Sequence, residues 1–141
     1  MAKHPNKSAE TILVIGLGRF GNSVASSLIR MGHEVLGVDV SEAKVQEAAD
    51  RLTHVLQADC TNPEALRQLG IADFKAAVIA IGSDIEASVL TVLALSELAV
   101  PDIWAKAVNP NHGRILDRTG AHHVVFPEAD MGERVAHLVT G

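Results

Sequence analysis

Tyrosine is absent from the 141 residues, and aromatic residues of every kind make up only 3% of them. The Tyr-Lys pair on which short-chain dehydrogenases rely therefore cannot exist here. Cysteine is equally scarce. Cys60 stands alone, so no intrachain disulfide can form, which fits a reducing cytosol. No uncharged apolar run exceeds the ten residues from Ala87 to Ser96, far short of the ~20 that span a bilayer, so direct membrane insertion is not expected and any link to a membrane passes through a partner. Positive charge is not in excess either. A formal net charge of −5 gives no support to nucleic acid or an acidic membrane surface as a partner. The opening stretch, Met1 to Glu10, is polar and lacks the apolar centre of a secretory signal, and residues 1–10 read as a disordered lead-in.

What is present is 48% apolar and 21% charged, the balance of a soluble globular chain long enough to bury roughly two thirds of its unfolded surface around one core. The chain is organised around Thr11 to Gly21, TILVIGLGRFG, where a short apolar run leads into Gly16-Leu17-Gly18-Arg19-Phe20-Gly21 and then into a helical pattern. A G-x-G-x-x-G in that position has a mechanical meaning. Gly16 permits a tight turn, Gly18 removes a side chain where a pyrophosphate would approach the backbone, and Gly21 lets the helix pack close to the strand. The helix N-terminus then offers free N–H groups and partial positive charge to an anion. A second apolar run ends at Asp39, eighteen residues after Gly21, near the spacing expected of a carboxylate that binds ribose hydroxyls. Such a carboxylate would repel the 2′-phosphate of NADP.

The rest of the chain repeats the pattern. Phe20, Val24, Leu28 and Met31 form one apolar helical stripe, with Gly32 after it as a cap. Ser41 is an N-cap, followed by a helix whose Val45, Ala48, Ala49 and Leu52 face the sheet. His54 to Asp59 is a third strand, and Thr61-Asn-Pro-Glu64 starts a helix, either as a capping box or with Asn62 as cap and Pro63 at the first position. Ala76 to Gly82 reads as a strand covered on both faces. Ser83-Asp-Ile-Glu86 reads as a capping box opening a long helix to about Leu98. Pro101 to Val108 is a fifth strand, Asn109-Pro110 starts a helix ending at Gly120, His122 to Phe126 is a sixth strand, and a last helix starts near Glu128. Strand and helix thus alternate six times. This predicts an α/β fold, a Rossmann-type doubly wound six-stranded parallel sheet with helices on both faces, order 3-2-1-4-5-6, and a ligand crevice at the carboxyl ends of strands one and four.

The candidate nucleotide-contacting residues follow from that geometry. They are Gly16, Leu17, Gly18, Arg19, Phe20 and Gly21 in the turn, Asp39 and Val40 after strand two, Asp59 and Cys60 after strand three, Ile81, Gly82 and Ser83 after strand four, and Lys106 after strand five. Asp59 either accepts from an adenine amine or caps the helix at Thr61. Arg19 either sets its guanidinium fork against terminal phosphates or is solvated. Ser83 is a helix cap before it is a ligand group. Lys106 reaches an anionic ligand or is an exposed lysine. His112, His122 and His123 lack metal-ligand spacing and read as surface or packing residues. Cys60 has no paired base, so no catalytic thiol is expected. The βα pattern also uses the whole chain from Thr11, which leaves no second domain to orient a substrate for hydride transfer.

With these residues in hand, the chain resembles the RCK or KTN (TrkA-N type) domain, the cytosolic regulator of Trk and Ktr potassium transporters and of some potassium channels. The resemblance lies in VIGLGRFG (Val14 to Gly21), VLGVD (Val35 to Asp39), QADCT (Gln57 to Thr61), AIGSDIEAS (Ala80 to Ser88) and FPEADMG (Phe126 to Gly132), and spans residues 11 to 139. It implies a cytoplasmic regulatory domain over residues 11–141 that is not an enzyme. Its ligand would be ATP or ADP, with NAD or NADH as the alternative. Its partner would be a membrane-embedded potassium transporter or channel subunit, and it would assemble as dimers that build a ring. The resemblance further implies that Arg19 contacts distal phosphates, Asp39 the ribose, Asp59 the adenine side, and Glu128 the γ-phosphate region and the subunit interface. Full-length family members carry a second, C-terminal lobe, whereas this sequence stops at Gly141. The competing reading is a fragment of an NAD-dependent oxidoreductase. A final expectation concerns the helix after Ser83. Its apolar residues from Ile85 to Leu98 surround most of its circumference, so one face must be buried either by a second subunit or by the last helix folding back.

Overall fold

Short apolar runs pair side by side because, too short to form buried helices, they satisfy their backbone groups on neighbouring strands. The computed structural model describes residues 11–141, and the expected lead-in over residues 1–10 lies outside them. The strands are β1 (Thr11–Ile15), β2 (Glu34–Asp39), β3 (His54–Gln57), β4 (Ala76–Ile79), β5 (Ile103–Lys106) and β6 (His123–Val125). The helices are α1 (Arg19–Arg30), α2 (Glu42–Ala48), α3 (Pro63–Gln68), α4 (Ile85–Glu97), α5 (Pro110–Thr119) and α6 (Pro127–Thr140). All strand pairs are parallel and the order is β3-β2-β1-β4-β5-β6. The order reverses between β1 and β4, which opens a crevice at their carboxyl ends.

Helix starts follow side-chain chemistry. Ser41 accepts from the Lys44 N–H, Asn62 from the Glu64 N–H and Asn109 from the His112 N–H, each satisfying a donor the helix itself leaves free. Asn62, not Thr61, is therefore the cap of α3. The cap of α4 also differs from the sequence expectation. Asp84 accepts from the Ala87 N–H at 3.0 Å, and Ser83 lies outside the helix. A carboxylate both accepts the hydrogen bond and meets the positive end of the helix dipole, so it outcompetes the neighbouring hydroxyl.

Alternation along each strand divides the core into two layers. Leu13, Ile15 and Ile79 pack with Leu66, Leu95 and Leu116 under α3, α4 and α5. Val14 and Val35 pack with Leu17, Ala25, Ala48 and Leu52 under α1 and α2. Two details of the expected stripes change. Met31 is 69% exposed and Ala25 fully buried, and of the two alanines expected to face the sheet Ala48 does and Ala49 is exposed. Strands β5 and β6 are also shorter at both ends than their apolar patterns, because flanking residues turn into the neighbouring loops.

The last helix does not fold back. None of its residues is buried, and Met131, Val135 and Leu138 are exposed along one stripe. On α4, Ile85, Leu90 and Leu93 stay exposed as well. At the far edge of the sheet, Trp104 and His123 pair across β5 and β6 and stack with ring centroids 3.9 Å apart, while the indole N–H donates to Asp102 Oδ2 at 3.1 Å. His122 Nδ1 accepts from the Ile103 N–H at 2.9 Å. These two histidines hold the edge of the sheet together. Among the described residues no group of His, Cys, Asp and Glu is placed to hold a metal ion, and no helix is long and apolar enough to cross a membrane.

Candidate functional site

The crevice above the β1/β4 reversal is a cavity of about 660 Å³. Its floor is the glycine turn, and the three glycines serve three separate ends. Gly16 has φ +98°, a conformation L side chains rarely adopt, and a Cβ there would lie 2.8 Å from the Ala80 carbonyl carbon. At Gly21 a Cβ would sit 1.8 Å from the Gly16 carbonyl oxygen, so only glycine lets α1 start this close to β1. At Gly18 a Cβ would meet nothing within 4 Å beyond its own chain neighbours, and the residue lines the cavity. The room at Gly16 and Gly21 is taken by protein. At Gly18 it opens into the cavity.

Hydrogen bonds pin the turn. The Gly16 N–H donates to the Val38 carbonyl at 2.8 Å, the Ala80 N–H donates to the Ile15 carbonyl at 2.7 Å, and Asn22 Nδ2 donates to the Leu17 carbonyl at 2.7 Å. Asp39 joins turn to strand. Its Oδ2 accepts from the Leu17 N–H and its Oδ1 from the Ser41 N–H, both at 2.8 Å. The carboxylate thus has one fixed orientation at the cavity wall, with further lone pairs open to hydroxyl donors. Its roles as anchor of the next helix and as cavity group are compatible. Asp59 is divided in the same way. Its Oδ1 accepts from the Thr61 N–H and hydroxyl at 3.0 and 2.6 Å, while the residue stays exposed on the cavity wall.

Of the residues singled out in the sequence, Gly16, Gly18, Arg19, Phe20, Asp39, Val40, Asp59, Cys60, Ile81, Gly82, Ser83 and Lys106 line this one cavity. Leu17 and Gly21 do not. Leu17 is 2% exposed with its side chain in the α1/α2 layer, and it acts through its backbone. Glu128 stands apart, exposed in the first turn of α6 and outside the cavity lining. The sequence reading missed Lys44, Asp84 and Glu86, which also line the cavity. All three lie at the starts of α2 and α4, and helix starts after β2 and β4 necessarily rim a crevice at strand carboxyl ends.

The site's charges are mixed. Asp39 and Asp59 follow β2 and β3 with Lys44 nearby in α2, while Arg19 opens α1, Asp84 and Glu86 open α4 and Lys106 ends β5. Lys106 Nζ lies 5.8 Å from the Phe20 ring centroid, and a Cβ at Gly82 would be 3.4 Å from that ammonium, so Gly82 leaves the lysine its path into the crevice. The Cys60 thiol is 4% exposed, and burial, with the charges of Asp59 and Asp39 adding to it, pushes its pKa up to about 12. It stays protonated, which makes it a wall group and a poor nucleophile. Among the described residues, no histidine lines the cavity. What the arrangement can do is hold an elongated ligand with hydroxyl donors at one end and anionic groups at the other.

A parallel sheet in this order, with a glycine turn opening a helix at the reversal point and an acid closing the second strand, defines a Rossmann-type domain. Residues 12–127 match the TrkA-N domain, and the chain belongs to that family. It is 49% identical over 127 residues to the Ktr system potassium uptake protein A of Bacillus subtilis (strain 168), covering 90% of this chain and 57% of that protein. Against the Ktr system potassium uptake protein A of Vibrio alginolyticus the identity is 43% over 123 residues, covering 87% and 56%. The chain therefore spans little more than half the length of these relatives. Among solved structures, the NAD(P)-binding domain of an exopolyphosphatase-related protein from Archaeoglobus fulgidus superposes with a TM-score of 0.81 at 23% identity, covering 93% of this chain and 98% of that one. GsuK bound to ADP superposes with a TM-score of 0.74 at 20% identity, covering 86% of this chain and 32% of that one. At these identities the structural likeness speaks for the fold alone.

Proposed function

We propose that this chain is an adenine-nucleotide-responsive regulatory domain of a potassium uptake system, and not an enzyme. The observation that carries the reading is one cavity lined by the side-chain-free backbone of Gly18, a doubly anchored Asp39, Arg19 and Lys106. A nucleotide fits this arrangement with its ribose at Asp39, its base toward Asp59 and its phosphates over the glycine turn. The potassium-uptake relatives, and the structural neighbour GsuK solved bound to ADP, support the same assignment. ATP and ADP are favoured over NAD and NADH, and NADP is disfavoured by the fixed carboxylate of Asp39. Regulation requires the ligand to bind two conformations unequally, and contacts that depend on the number of phosphates supply such a difference.

The transporter or channel subunit that receives the signal lies in the membrane, and this domain acts on its cytoplasmic side as part of an oligomer. The exposed Ile85, Leu90 and Leu93 of α4, left uncovered by α6, are the contact surface with a second copy. Glu128, outside its own chain's cavity, contributes at such an interface. Titration calorimetry with ATP, ADP, NADH and NADPH tests the ligand assignment. ATP or ADP is expected to bind most tightly, and NADPH binding as tight as ADP would contradict the role given to Asp39.

A further inference from the structure

His112 is 1% exposed, and no contact described so far explains why a titratable ring lies in the α4/α5 layer. Its hydrogen bonds define one tautomer. The Val108 N–H donates to Nδ1 at 3.1 Å, so Nδ1 carries no proton. Nε2 lies 2.6 Å from Ser88 Oγ, and that hydroxyl already gives its proton to the Ile85 carbonyl at 2.9 Å. Nε2 must therefore donate to Ser88. The result is a directed chain from the Val108 N–H through the ring and the Ser88 hydroxyl to Ile85, with Ser88 fully buried. Neither end lines the crevice, but both adjoin residues that do. Val108 is two residues beyond Lys106, while Ile85 and Ser88 sit in the α4 turns that carry Asp84, Glu86, Ala87 and Thr91 into the cavity lining.

We infer that His112 and Ser88 act as positioning residues for the ligand, fixing the strand end that carries Lys106 against the first turns of α4. The inference rests on the nucleotide reading above and adds the device that sets the spacing of the crevice's β4/β5 wall. Purely apolar packing of α5 on α4 would hold the layers together without specifying this register. A buried polar chain specifies it, because any slip leaves a donor or acceptor unpaired.

The test is a double-mutant cycle read in two quantities, ADP affinity by calorimetry and apo-protein melting temperature. Ser88→Ala removes the acceptor for Nε2–H, and His112→Asn retains an acceptor for the Val108 N–H but cannot reach Ser88. Each single variant is expected to weaken ADP by about tenfold, the equivalent of one lost buried hydrogen bond, and the double variant by no more than either alone. Lowered melting temperature with unchanged ADP affinity overturns the inference. If His112→Asn does not fold, Ser88→Ala alone decides by the same two readings. The ring's tautomer is checked without ligand by ¹⁵N NMR. A proton on Nδ1 would overturn the chain of hydrogen bonds outright. Failure of the unsubstituted chain to bind ADP, ATP or NADH overturns the nucleotide reading and this inference with it, whereas binding that ignores both substitutions overturns only the inference.

Discussion

On the β1/β2 side of the crevice the wall is built around the glycine turn and the doubly anchored Asp39, residues that lie close together in sequence. On the β4/β5 side Lys106, Asp84 and Glu86 line it, and behind them α4 is joined to α5 by a hydrogen bond between Ser88 and His112 that spans 24 positions of sequence. The first wall is fixed by covalent geometry and steric exclusion. The second is fixed by tertiary contacts, and it is where a ligand-dependent shift costs least, since rotating an exposed side chain such as Glu86 breaks neither a strand pairing nor the Ser88–His112 hydrogen bond.

Substitutions separate the two walls by size of effect. Gly21→Ala forces a methyl carbon to within 1.8 Å of a backbone oxygen that β1 and α1 hold in place, so a loss of about 3 kcal/mol or more is expected in denaturant unfolding. A loss under about 1 kcal/mol would show that the first wall is plastic and would break the comparison. Asp39→Ala removes two charge-assisted hydrogen bonds from a part-exposed carboxylate. It is expected to cost about 2 kcal/mol of stability and to weaken every ribose-containing ligand. A loss of binding without loss of stability would mean that Asp39 does not hold the turn.

The second wall responds to pH. Burial lowers the pKa of His112 from its usual 6.5. The unfolded chain therefore takes up the proton first on acidification, and the stabilisation from the neutral ring, complete above 6.5, is lost as pH falls below that value toward the folded pKa. The other histidines also titrate, so the measurement is a difference. Stability of the unsubstituted chain should fall more steeply below pH 6.5 than that of His112→Asn, and parallel curves would remove His112 from the account.

The same contrast explains how much the sequence discloses. The strand order, the crevice and the first wall are legible because glycine at fixed spacing after an apolar run has few physical meanings, and Asp39 follows at the distance one helix and one strand impose. The caps were less certain. Asp84 displaced Ser83 because two good capping residues stood side by side, and local chemistry alone did not rank them. Lys44 and Glu86 were missed because a charged residue in a first helical turn has an ordinary reason to be there. His112 reads in sequence as a packing residue, which it is, but its partner Ser88 is named only once α5 lies on α4. Glu128 illustrates the converse. Its sequence context places it in a recognisable motif, yet in a single chain the fold leaves it away from the crevice.

The smallest structural perturbation gives the most direct test of the central claim that the space over the glycine turn is reserved for a ligand. Gly18 has an extended backbone at φ −82° and ψ −158°, and a Cβ there would meet nothing within 4 Å beyond its own chain neighbours. Gly18→Ala should therefore leave the melting temperature within about a degree of the unsubstituted chain, while calorimetry shows ADP affinity reduced by about tenfold or more, because the added methyl occupies the path of the phosphates. Unchanged melting with undiminished ADP affinity would contradict the account and place the ligand elsewhere.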